Sequence, residues 1–113
     1  MKPENALDLA QLQREHRPWS ERNFGACPSW YALLGIFEEA GELAHAHLKG
    51  VQGIRGTPEE HRAAKIDAVG DLVTFLAAYC NAEGLDLQAA VETTWDKVKA
   101  RDYKNNPMNP TQA

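Results

Sequence analysis

Glu38-Glu39-Ala40-Gly41-Glu42 and, one helix further on, Asp67-Ala68-Val69-Gly70-Asp71 decide how this 113-residue chain is read. Residues three or four apart share a face of an α-helix. Glu38 and Glu42 are four apart, and Glu39 and Glu42 are three apart. Trp30, Leu33, Leu34, Phe37, Gly41, Ala44 and Leu48 recur around them at helical spacing. At roughly 100° per residue, Glu38 and Glu42 flank that apolar stripe and Glu39 lies farther round. In the second cluster Asp67 and Asp71 are four apart, with Thr74 and Ala78 continuing their line. Ile66, Val69, Leu72, Val73, Leu76 and Cys80 lie on another side. No charged residue occurs from Leu72 to Asn81, so Asp71 borders a segment suited to burial.

Like charges one turn apart destabilise a helix, and a buried carboxylate is costly unless it is paired or bound to metal. A cation removes both penalties. Carboxylate oxygens are hard ligands suited to Mg²⁺ or Mn²⁺. Glu38, Glu39, Glu42, Asp67 and Asp71 are therefore the candidate metal ligands. A solvated acidic face is the competing reading.

The stretch Gly35-Ile36-Phe37-Glu38-Glu39-Ala40-Gly41-Glu42-Leu43-Ala44-His45-Ala46-His47-Leu48-Lys49, followed by Gly70-Asp71 and a basic final helix, resembles the all-α nucleoside triphosphate pyrophosphohydrolases of the MazG-like superfamily. The resemblance runs from about Trp19 to Asn106. It implies an oligomeric four-helix bundle whose site is completed by a partner copy, as a homodimer or a dimer of dimers. It also implies Mg²⁺-dependent hydrolysis of a nucleoside triphosphate to monophosphate and pyrophosphate, with Glu38 and Glu39 as the catalytic residues. The family's second motif is Glu-x-x-Asp, and this chain has Ala68 where that acid would stand.

Length and composition suit one soluble domain, with 43% hydrophobic and 25% charged residues. A net charge of −4 argues against a nucleic-acid polymer as partner. Two cysteines without paired spacing give neither a zinc motif nor a disulfide framework. No apolar run reaches the roughly 18 residues of a membrane helix, and the N-terminus does not read as a signal peptide. A cytoplasmic location is the default expectation.

The pattern predicts a first helix from Asn5 to about His16, ended by Pro18, then an ordered loop over Trp19–Gly25. Trp19 and Asn23 in that loop are candidates for stacking on and hydrogen-bonding a base; a hydrophobic plug is the alternative. A second helix should start with Ser29 as N-cap and end near Lys49 and Gly50. Thr57-Pro58-Glu59-Glu60 reads as a capped start of a third helix, ending near Ala82 before Gly84. The last helix is expected over Leu85 to Lys104, with Lys97, Arg101 and Lys104 on one face as candidate phosphate ligands. Helix-dipole complementarity explains the same charges without a ligand. Asn105 to Ala113 reads as a tail. Two other functions fit the pattern: a non-catalytic helical interaction module, and a di-iron carboxylate bundle suggested by Glu42-x-x-His45. The latter needs two Glu-x-x-His copies, and only one is present.

Overall fold

Thr57 starts the longest helix as the sequence requires. Its hydroxyl accepts from the Glu60 N–H at 3.1 Å, and the Glu60 carboxylate accepts from the Thr57 N–H at 2.9 Å. The bond from the Thr57 N–H, with the Thr57 hydroxyl adding to it, holds the Glu60 carboxyl below its ordinary range. The computed structural model describes residues 6–108, and among them it holds helices and no strand. The helices are α1 (Leu9–Phe24), α2 (Ser29–Gln52), α3 (Pro58–Glu83) and α4 (Leu87–Lys99). Gly53 and Gly84 close α2 and α3 in the left-handed conformation, at φ 69° in each case. No helix among the described residues is long and apolar enough to cross a membrane.

Three helices differ from the sequence expectation at their ends. Helix α1 begins after an Asp8 cap, whose carboxylate accepts from the Gln11 N–H at 2.8 Å, and it continues through Pro18 to Phe24. Pro18 costs the Arg14 carbonyl its donor, yet the helix continues. Just before the proline the Arg17 guanidinium donates to the Asn81 carbonyl at 2.9 Å, and beyond it Trp19 and Phe24 pack edge to face. Trp19 and Asn23 therefore lie on a helix, not in a loop. Helix α2 starts at Ser29 after Pro28 and runs past Gly50 to Gln52. Helix α4 starts after an Asp86 cap and stops at Lys99, so Arg101 and Lys104 fall outside it. Asn5, the expected first helical residue, and Asn109–Ala113 of the expected tail lie outside the described residues.

Helices α2 and α3 form an antiparallel pair. Gly35 packs under the Phe75 ring so closely that any Cβ would overlap it, and a Cβ at Gly50 would meet His61 Cβ at 3.7 Å. Positions whose numbers sum to about 110 therefore face one another along the pair. Among the described residues α2 packs on α3 alone, while α1 and α4 lie against α3 and each other. Leu9 and Leu12 of α1 cover Ala77, Cys80 and Leu87. The Gln13 side chain ties this end: its amide donates to the Leu85 carbonyl at 2.7 Å, and its oxygen accepts from the Leu87 N–H at 2.9 Å.

The buried apolar residues are Ala32, Ala46, Ala68, Ala77, Cys80 and Leu87, nearly all small. Burial pushes the Cys80 thiol up, with Asp86 adding to the shift. The expected α2 stripe is not part of this core. Trp30, Leu33, Leu34, Phe37 and Leu48 are exposed, Phe37 at 74%. At about 100° per residue the stripe lies roughly opposite the Ala32–Gly35–Glu39–Ala46 face that meets α3.

Gly35→Ala should destabilise the chain by about 1–3 kcal/mol through overpacking against Phe75. Urea unfolding checks this, and a Phe75→Leu change made in the Gly35→Ala background should recover part of the loss.

Candidate metal centre on the α2–α3 pair

Glu39 belongs to the α2 face that meets α3, and it is 8% exposed. It is level with Asp71 across the pair. Its Oε2 atom is buried and has no hydrogen-bond partner. Burial holds the Glu39 carboxyl above the ordinary range, and Asp71, Glu42 and Glu38, in that order, push it further up. The sequence pattern put Glu39 farthest from the presumed core stripe. The structure makes it the most enclosed acid of the cluster, because the packed face of α2 is the one with small residues. The spacing Ala32, Gly35, Glu39, Ala46 was the signal for this, obscured by the larger residues opposite.

Glu38, Glu42, Asp67 and Asp71 are all exposed at their own positions. Helix spacing puts Glu38 and Glu42 beside Glu39, the register of the pair puts Asp71 level with it, and the charges of these three add to the rise of its carboxyl. Asp67 is about 40° farther round α3 from the α2-facing line than Asp71. Ala68 is 2% exposed and falls level with Glu42 and Leu43. Among the described residues no three His, Cys, Asp or Glu side chains are grouped tightly enough to enclose an ion by themselves. The donor set nonetheless fits a hard divalent cation. An enclosed carboxylate with an unpartnered oxygen faces a second carboxylate across the pair, and Mg²⁺ commonly takes one or two carboxylates and completes its shell with water or phosphate. His45 is exposed on α2.

The candidate substrate residues do not converge on this centre within one chain. Lys97 is exposed in the last turn of α4, which does not touch α2. Arg101 follows the helix and donates to the Tyr103 hydroxyl at 3.3 Å. Lys104 is exposed in a turn organised by Asp102, whose carboxylate accepts from the Asn105 side chain at 2.7 Å and from the Asn105 N–H at 3.2 Å. These bonds, the side-chain one first, hold the Asp102 carboxyl below its ordinary range. Trp19 sits edge-on to Phe24 with ring centroids 5.8 Å apart and near His16 at 5.5 Å. Partial burial holds the His16 imidazole below its ordinary range. The Asn23 amide donates to the Trp19 carbonyl at 2.8 Å, so its N–H is engaged on its own helix.

No family model and no curated protein matches the chain.

A raised Glu39 pKa means that the folded chain holds this proton to higher pH than the unfolded chain does. The group's contribution to stability is therefore full at low pH and is lost as pH rises through the raised value. A bound cation cancels the loss. Glu39→Gln should raise the Tm of the metal-free protein at pH 7.5 by a few degrees. The same change should shrink the Tm gain on adding Mn²⁺. A lower metal-free Tm, or an unchanged Mn²⁺ gain, would contradict the picture of an enclosed, unpaired carboxylate.

Proposed function

We propose that this protein is a Mg²⁺-dependent nucleoside triphosphate pyrophosphohydrolase of MazG-like type, converting a (deoxy)nucleoside triphosphate to the monophosphate and pyrophosphate. The observation that carries the reading is the enclosed Glu39 carboxylate, with an orphaned oxygen, level with Asp71 and flanked by Glu38 and Glu42. Glu39 and Asp71 would hold the cation, with Glu42 adding negative charge beside it, and Mn²⁺ would serve as a substitute. Bound there, it would supply Lewis-acid neutralisation of the phosphate oxygens.

The chain's own residues carry the remaining roles. Glu38 is exposed beside the centre and is suited to orient a water and accept its proton. Burial of Ala68 keeps α2 and α3 together, so the acids do not depend on loop geometry for their positions. Lys97, and with it Arg101 and Lys104, would serve the triphosphate from a second copy, since α4 stands away from α2 in its own chain. Trp19 remains the candidate base platform.

Self-association belongs to the same reading. The outer face of α2 exposes Trp30, Leu33, Leu34, Phe37 and Leu48, an arrangement that marks an interaction surface. Light scattering should find a dimer or a larger assembly, and Phe37→Glu should shift it toward monomer. The same exposed face also favours a second reading, a helical interaction module without turnover.

Product analysis decides between the two. With Mg²⁺ and a panel of triphosphates, pyrophosphate and monophosphate should appear and should vanish with chelator. Glu42→Gln should lower turnover about a hundredfold or more. Orthophosphate and diphosphate products would mean attack at the γ-phosphorus and would refute the proposed reaction. No turnover with any nucleotide would favour the module.

A further inference from the structure

The helix pair offers facing acids at only one level. The sum of about 110 set by Gly35–Phe75 places Glu39 opposite Asp71. One turn along, toward the C-terminus of α2, the partner of Glu42 and Leu43 is Ala68, a methyl group 2% exposed. A methyl group supplies no donor to an ion, and its burial puts α3 in contact with its neighbours at this level rather than with solvent. Asp67 does not substitute for the missing acid. It is exposed, and at about 100° per residue it lies farther round α3 from α2 than Asp71 does. On the other side of the Glu39 level, the position opposite Gly35 is filled by the Phe75 ring. The acidic level is thus bounded by an aromatic ring on one side and a buried methyl on the other.

We infer that the nucleotide-free chain binds a single divalent cation, held between α2 and α3 by Glu39 and Asp71, and that Ala68 closes the position where a second ion would enter the pair. The inference rests on the divalent-cation reading proposed above. Two carboxylates with the remaining coordination left to water are a usual arrangement for Mg²⁺. They also suit Mn²⁺, which can be counted.

The test is Mn²⁺ binding to the full chain without nucleotide, with free ion counted by electron paramagnetic resonance and heat by calorimetry. The wild type should bind one Mn²⁺ per chain. Asp67→Asn should keep that stoichiometry with affinity changed less than threefold. Asp71→Asn should lose at least tenfold in affinity, with circular dichroism unchanged because position 71 is exposed. Two ions per chain in the wild type, or loss of binding in Asp67→Asn, would overturn this inference and leave the cation reading standing. No Mn²⁺ bound by the wild type would overturn both.

Discussion

A carboxylate enclosed between two packed helices, with one oxygen unpartnered, constrains the rest of this protein. Enclosing Glu39 requires α2 and α3 to approach closely along the turns on either side of it. Small residues make that approach possible: Ala32, Gly35 and Ala46 on α2, and Ala68 on α3. With the inner face of α2 given over to them, its large apolar residues have only the outer face to occupy. The orphaned acid and the exposed Trp30–Leu48 stripe are two results of one choice of helix face.

The ends of α3 were legible because each is set by chemistry local to a few residues. Thr57, Pro58 and Glu60 supply a reciprocal cap, and Gly84 supplies the left-handed stop. The passage of α1 through Pro18 was not legible, since a proline inside a helical pattern normally ends it, and the contacts that hold α1 against α3, such as Arg17 to Asn81, span 64 residues. The true extent of α4 was hidden by Arg101 and Lys104, whose spacing continues a helical pattern after the backbone has left it. The all-helical class and the acidic clusters followed from periodicity. Which face of α2 turns inward did not, because the large apolar residues that mark a core stripe lie on the face away from α3, and the packed face carries small ones. Gly35 opposite Phe75 fixes the pairing, and nothing in the spacing of either residue announces the other.

The separation of basic and acidic groups has the same origin. Lys97 approaches the end of a short helix anchored at Leu87, and α4 departs from α3 without crossing α2. The charge of the acidic centre is therefore not balanced by lysine or arginine from α4 of its own chain. The electrostatic cost of four neighbouring acids falls on the folded state of the isolated chain.

The single glutamine that joins α1 to the α3–α4 turn also orders the folding of the chain in time. Gln13 reaches Leu85 and Leu87 across 72 and 74 residues of sequence, whereas α2 and α3 are joined by a turn of a few residues. Closing a long loop costs more chain entropy than closing a short one, and contacts between sequence neighbours form sooner. The α2–α3 hairpin is thus the early element. Helix α1 is the late element, since its contacts with Leu85 and Leu87 need the turn after α3 in place.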